Sequence, residues 1–221
     1  MRIDIEQKIL AANEELADTN RARFAAAGVF VVDLMASPGA GKTSTILATI
    51  DALRDRYAIA VIEGDIASKV DAEKVRAHGI PAVQINTGGA CHLESAMIAR
   101  AIDTLDLDAL DLIIVENVGN LVCPTDFDLG EHAKVMILSV PEGHDKPYKY
   151  PNIFQVSEAV ILNKYDTMGV FDFDEAEFRS VVTSLNPTAP VFPMSATKGE
   201  GVAEWAAWLA ARIEDAKGAA S

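Results

Sequence analysis

Residues Ala36 to Thr43, Ala-Ser-Pro-Gly-Ala-Gly-Lys-Thr, constrain this chain more than any other stretch, because they join an apolar run to a helical pattern. Val29 to Met35 reads as a buried strand, and Ser44 to Arg54 reads as a helix whose free N–H groups face the loop. Those N–H groups and the helix dipole favour anionic phosphate. Gly39 and Gly41, flanking Ala40, permit close backbone approach, and Ser44 continues the first helical turn. Lys42 can place an ammonium on the β- and γ-phosphates, and the Thr43 hydroxyl can ligate magnesium. Ala36 replaces the usual first glycine, but the other spacings are kept. A nucleoside triphosphate is the expected ligand.

The length of 221 residues, half of them apolar, is enough for one domain with a substantial core. Ile5, Ile9, Leu16 and Phe24 fall near helical spacing in an opening amphipathic helix over 1–27 that Gly28 can end, packed on a nucleotide domain over 28–221. β-rich runs then alternate with helical patterns, the order of a mostly parallel α/β sheet of about seven strands with helices on both faces. The strands are expected at 29–35, 57–62, 81–85, 111–116, 133–140, 158–162 and 190–193. Helices are expected around 43–55, 68–78, 93–104, 173–185 and 201–215, with 141–152 the longest irregular stretch. A net charge of −14 argues against binding the phosphate backbone of nucleic acid. No run approaches a membrane span and nothing near the start resembles a signal peptide, so a cytoplasmic location is expected.

Asn163-Lys164-Tyr165-Asp166 follows an apolar strand, and a carboxylate there can accept both the N1–H and the exocyclic amine of guanine. Adenine offers no such pair of donors. Asn163 can help fix the base edge, Lys164 can cover its face, and Ser195-Ala196-Thr197 can supply a backbone N–H from Ala196 to the guanine oxygen. These elements resemble those of a GTPase. Glu116-Asn117-Val118-Gly119 occupies the place where GTPases commonly carry Asp-x-x-Gly: Glu116 can hold a magnesium-bound water and the Gly119 N–H can meet the γ-phosphate. Asp65, expected just after its strand, is a candidate for a second magnesium contact or for orienting the attacking water; a plain helix-N-terminal carboxylate is the alternative. With no evident water-orienting glutamine or arginine finger, hydrolysis is expected to be slow.

Cys91, His92 and Cys123 lie at strand ends, and two thiols with an imidazole suit zinc or nickel. As bare spacing the signal is weak, since a lone Cys-His pair is more often core and surface than a ligand pair. The runs Cys91-His92-Leu93-Glu94, Glu116 to Pro124, Asp145 to Pro151 and Asn163 to Asp166 resemble the nickel-insertion GTPases of nickel–iron hydrogenase maturation, the HypB family. The resemblance covers most of the chain. It implies a SIMIBI-like P-loop GTPase using GTP/GDP, Mg2+ and Ni2+ or Zn2+, with Cys91, His92 and Cys123 as metal ligands. It also implies a GTP-favoured homodimer, a nickel-binding zinc-protein partner (HypA-like), and delivery of nickel to the hydrogenase large subunit. Many relatives carry an N-terminal cysteine motif or histidine-rich tract; His78, His92, His132 and His144 are scattered here, so nickel storage is not expected.

Two other readings share these motifs. The urease accessory GTPase places a proline between its cysteine and histidine, whereas Cys91 and His92 are adjacent. A nucleotide-switched metalloenzyme chaperone with structural zinc would use the same donors.

Overall fold

The computed structural model describes residues 5–65 and 70–220. Seven strands form one sheet: β1 (Phe30–Ala36), β2 (Ile59–Asp65), β3 (Ala82–Asn86), β4 (Leu112–Glu116), β5 (Ala133–Ser139), β6 (Ala159–Asn163) and β7 (Val191–Pro193). Every pairing is parallel and the order is β3-β2-β4-β1-β5-β6-β7. β1, β4, β5 and β6 read as near-continuous apolar runs because both faces of a parallel sheet are covered. The helices are α1 (Ile5–Ala27), α2 (Lys42–Leu53), α3 (Val70–Ala77), α4 (Ser95–Ile102), α5 (Lys146–Lys149), α6 (Pro151–Gln155), α7 (Glu175–Leu185) and α8 (Val202–Ala220). Residues 68 and 69 of the expected third helix, and 1–4 of the first, lie outside the described residues.

On one face, Leu34, Ile114, Val135 and Ile161 meet Ile46 and Ile50 of α2 and Leu209 of α8. Trp205 is buried there with its indole N–H donating to Thr49 Oγ1 at 2.9 Å, so its polar atom is satisfied. The opposite face holds two clusters, one built from Val31, Ile62 and Val115 with Phe24 and Ile98, the other from Met35, Met136 and Leu162 with Phe154 and Phe178. No helix among the described residues is long and apolar enough to cross a membrane.

Helix α1 does not dock by the apolar stripe its sequence suggests. Ile9 and Leu16 are exposed, and the inward residues are Asn13, Ala17, Asn20 and Phe24. Polar anchoring explains this: Asn13 Nδ2 donates to Asp128 O at 2.6 Å, Ser95 N donates to Asn13 Oδ1 at 2.8 Å, and Asn20 Nδ2 donates to the Ser95 and Leu129 carbonyls. Gly130, at φ +88°, lets the chain pass so close that an added Cβ would stand 2.6 Å from Ala17 O.

The stretch 141–152, expected to be irregular, instead contains α5 and the start of α6. Pro147 and Pro151 sit in the first turns of these short helices, where the missing N–H costs nothing.

Candidate nucleotide and metal site

The order of strands reverses around β1, with β4 on one side and β5 on the other, and loops at the carboxyl ends there form the crevice of an open parallel sheet. β1 ends at Ala36 and α2 begins at Lys42, with Gly41 at its N-cap at φ +99°. A Cβ on Gly41 would fall 2.4 Å from Asn163 Nδ2, so glycine is required twice over. Thr45 N is bonded to Gly41 O, leaving the N–H groups of Lys42, Thr43 and Ser44 at the open end of the helix. Lys42 Nζ reaches Ser37 O at 3.5 Å.

The base loop is tied to the phosphate loop. Asn163 Nδ2 donates to Ala40 O at 3.0 Å, its Oδ1 accepts from Ala196 N at 3.2 Å, and Lys164 Nζ donates to Gly39 O at 2.7 Å. Asn163, expected to help fix the base edge, thus has both ends of its amide engaged within the protein, and Ala196 N points at Asn163. Lys164 adopts φ 54°, the one positive φ at a non-glycine residue among those described. Asp166 follows, beside the Lys198 ammonium at 3.3 Å. The nearby Ser195 hydroxyl and that ammonium hold the Asp166 carboxyl below the usual range, leaving it an ionised acceptor.

Thr43 Oγ1 donates to Glu116 Oε1 at 3.3 Å, pairing the hydroxyl and carboxylate expected at magnesium. Pro38, Lys42, Asp65, Glu116 and Gly119 line one cavity of about 330 Å³. Asp65 is the last residue of β2 and not a residue beyond it, because β2 continues three residues past its expected end. Gly119 packs against Pro38, so the loop after β4 touches the phosphate loop directly.

Cys91, His92 and Cys123 bring one ligand atom each within 4.8 Å of one another. Cys91 and Cys123 Sγ are 2.9 Å apart, and their hydrogen bond, with burial, pushes the Cys91 thiol up. Two thiolates at about 2.3 Å from a tetrahedral ion stand farther apart, so metal uptake must open the pair and release protons. His92 Nδ1 lies 3.6 Å from Cys91 Sγ, Nε2 lies 3.5 Å from Glu94 Oε1, and the ring stacks on Phe127 at 3.8 Å. Glu94 stands near the far ring nitrogen without a hydrogen bond to it, at a place from which a carboxylate can orient a ligating histidine. His144 lies apart: its Nδ1 accepts from Asp174 N at 3.1 Å and its ring meets Phe173 edge-on.

Several residues without an assigned role complete the site. Asn120 Nδ2 donates to Cys91 O at 3.2 Å, and its Oδ1 accepts from Val122 N. Asn117 Oδ1 accepts from Leu93 N at 3.3 Å. The Ser37 hydroxyl donates to Glu142, whose other oxygen accepts from Ser139 N and Oγ, fastening the phosphate loop to the turn after β5. Asp33 and Lys134 lie beneath the metal segments; a lone aspartate within an apolar strand was the one signal in the sequence that could have marked them.

Residues 30–193 match the model of the CobW/HypB/UreG nucleotide-binding domain. The hydrogenase maturation factor HypB of Azotobacter vinelandii is 50% identical over 205 residues, covering 93% of this chain and 68% of that protein. That of Escherichia coli K12 is 46% identical over 207 residues, covering 94% and 71%. The crystal structure of HypB from Helicobacter pylori in complex with nickel superposes with a TM-score of 0.88 at 38% identity, covering 92% of this chain and 96% of that one. A LAO/AO transport system kinase shares the fold at 16% identity and a TM-score of 0.52. The phosphate loop on β1, the all-parallel sheet and these matches together place the chain in the hydrogenase maturation factor HypB family, within the CobW/HypB/UreG nucleotide-binding domains.

Proposed function

We propose that this chain is a slow GTPase whose nucleotide state governs a nickel site at Cys91, His92 and Cys123, in the delivery of nickel to the large subunit of a nickel–iron hydrogenase. One observation carries the proposal: a single short segment from the end of β4 joins the residues expected at both sites. It begins with Glu116, bonded to Thr43, passes Gly119 against Pro38, and ends at Cys123 beside Cys91. Any rearrangement of Gly119 on loss of a γ-phosphate moves a metal ligand four residues away.

Asp166, held ionised, suits guanine, and Lys42 with the first turn of α2 suits the phosphates. Thr43, Asp65 and Glu116 would hold magnesium, which neutralises charge on the transferred phosphoryl group. Nickel is cargo in this reading, and zinc is the competing ion for the same donors. The nickel complex of the Helicobacter pylori relative supports a nickel-handling role.

The test is nickel affinity of the parent and of Cys123→Ser, each with GDP and with a non-hydrolysable GTP analogue. The expected result is a parental affinity that differs between the two states by about 5- to 150-fold, the range of ordinary allosteric coupling. Identical parental affinities at matched oligomeric state would reduce the site to a structural ion on a GTPase.

A further inference from the structure

Asp33 is a carboxylate with no exposed surface, placed inside β1 three residues before the strand delivers the phosphate loop. Two arms leave it. Asn117 Nδ2 donates to both of its oxygens, at 3.2 and 3.1 Å, while the other end of that amide accepts from Val118 N and from Leu93 N, the residue after His92. Lys134 Nζ stands 3.7 Å from Asp33 and 2.9 Å from Glu131, and donates to Phe127 O at 2.8 Å and Pro124 O at 3.3 Å. Pro124 follows Cys123, and Phe127 is the ring stacked on His92.

Both arms therefore end on the two chain segments that carry the thiol and imidazole donors. Burying a carboxylate and an ammonium is costly, and apolar residues of similar volume would fill the same space at less cost. What the buried carboxyl provides here is direction: burial pushes it up to about 7, and through Asn117, which accepts one N–H, and Lys134, which donates to two carbonyls, stretches about thirty residues apart in sequence are tied to a single point in the sheet.

We propose that Asp33 is a positioning residue for the metal site, fixing the segments of His92 and Cys123 relative to each other and to the strand that leads into the phosphate loop. Asn117 and Lys134 are the means. The inference rests on Cys91, His92 and Cys123 being the metal ligands.

The test uses the full chain as parent, Asp33→Asn, and the triple variant Asp33→Asn, Glu131→Gln and Lys134→Met. Because Lys134 also pairs with the nearly buried Glu131 at 2.9 Å, the triple variant is the one that leaves no uncompensated charge among the three, and it keeps the test available if the single variant does not fold. The readouts are nickel affinity, the thiolate-to-nickel charge-transfer absorption, GDP affinity and melting temperature. The expected result is a loss of nickel affinity of about 10- to 100-fold with a shifted or weakened absorption band, at near-parental GDP affinity. A role confined to stability would lower the melting temperature alone. Parental nickel affinity and band in either folded variant therefore overturns the proposal. Parental protein that takes up no nickel, or takes it up undiminished as Cys91→Ser, overturns the functional reading and this inference with it.

Discussion

Gly119 lies directly against Pro38: a Cβ added to Gly119 would stand 3.0 Å from Pro38 Cγ and 3.1 Å from Pro38 N. The loop that carries a metal ligand and the loop that cradles phosphate are in van der Waals contact through these two residues. An alanine at 119 requires Pro38 to give by a few tenths of an ångström.

Gly119→Ala is expected to weaken binding of a GTP analogue by about tenfold, about 1.4 kcal/mol, through displacement of the phosphate loop. GDP binding should change less, since the γ-phosphate is the group expected at Gly119. Titration of both nucleotides by calorimetry checks this, and equal losses for the two would show that Gly119 does not sense the γ-phosphate.

Asp166→Asn exchanges an acceptor oxygen for an amide donor. The charge-assisted bonds to the guanine edge are lost, so guanine-nucleotide affinity should fall by about 10- to 150-fold. Xanthine nucleotides, which carry an oxygen where guanine has its amine, should be favoured in the variant. Competition of GTP, ATP and XTP for parent and variant is the measurement; parental protein that binds ATP as well as GTP would remove Asp166 from the base site.

Acid is expected to loosen α1. Against the cost of its burial, the N–H of Gly130 and the Arg21 guanidinium hold the Asp128 carboxyl below its usual range. A carboxylate with a depressed pKa stabilises the fold above its unfolded value of about 3.9, and that contribution is lost as pH falls through the lower folded value. Arg21 and Asp128 are each about two-fifths exposed, so screening limits the contribution to about 1 kcal/mol or less. Asp128→Asn should therefore lower the melting temperature at pH 7 and make no difference near pH 2. Melting curves across that range, with hydrogen exchange of α1, decide the point; a deficit that persists undiminished near pH 2 would refute the assignment.

A symmetric dimer favoured by GTP is expected from the family resemblance and from a metal set of three ligands that a second copy can complete. Val122, beside Cys123, is 56% exposed and available for such a contact. Light scattering after size exclusion should show a larger species with a GTP analogue than with GDP. A monomer unchanged across nucleotide and metal states would count against it.

The sheet was largely legible because its strands are buried on both faces. β1, β4, β5 and β6 are short apolar runs punctuated by loop residues, and such runs announce themselves without knowledge of their neighbours. The phosphate loop was legible for a similar reason: Gly41 must adopt positive φ where Lys42 starts a helix, a local demand that local residues meet. The short helices after Pro147 and Pro151 were not, since proline reads as a breaker unless its place in a first turn is known.

Sequence alone thus determined what depends on neighbours along the chain: the strand–loop–helix at Lys42, the apolar runs of the sheet, and the residue types offered to guanine and to metal. Only the tertiary structure decided what depends on neighbours in space. It brought Asn163 to the Ala40 carbonyl, buried Asn13 and Asn20 of α1 in place of Ile9 and Leu16, and set Asp33 against Lys134, 101 positions later. A buried polar group must find a partner wherever the fold supplies one, and no periodicity or spacing in the chain records that address.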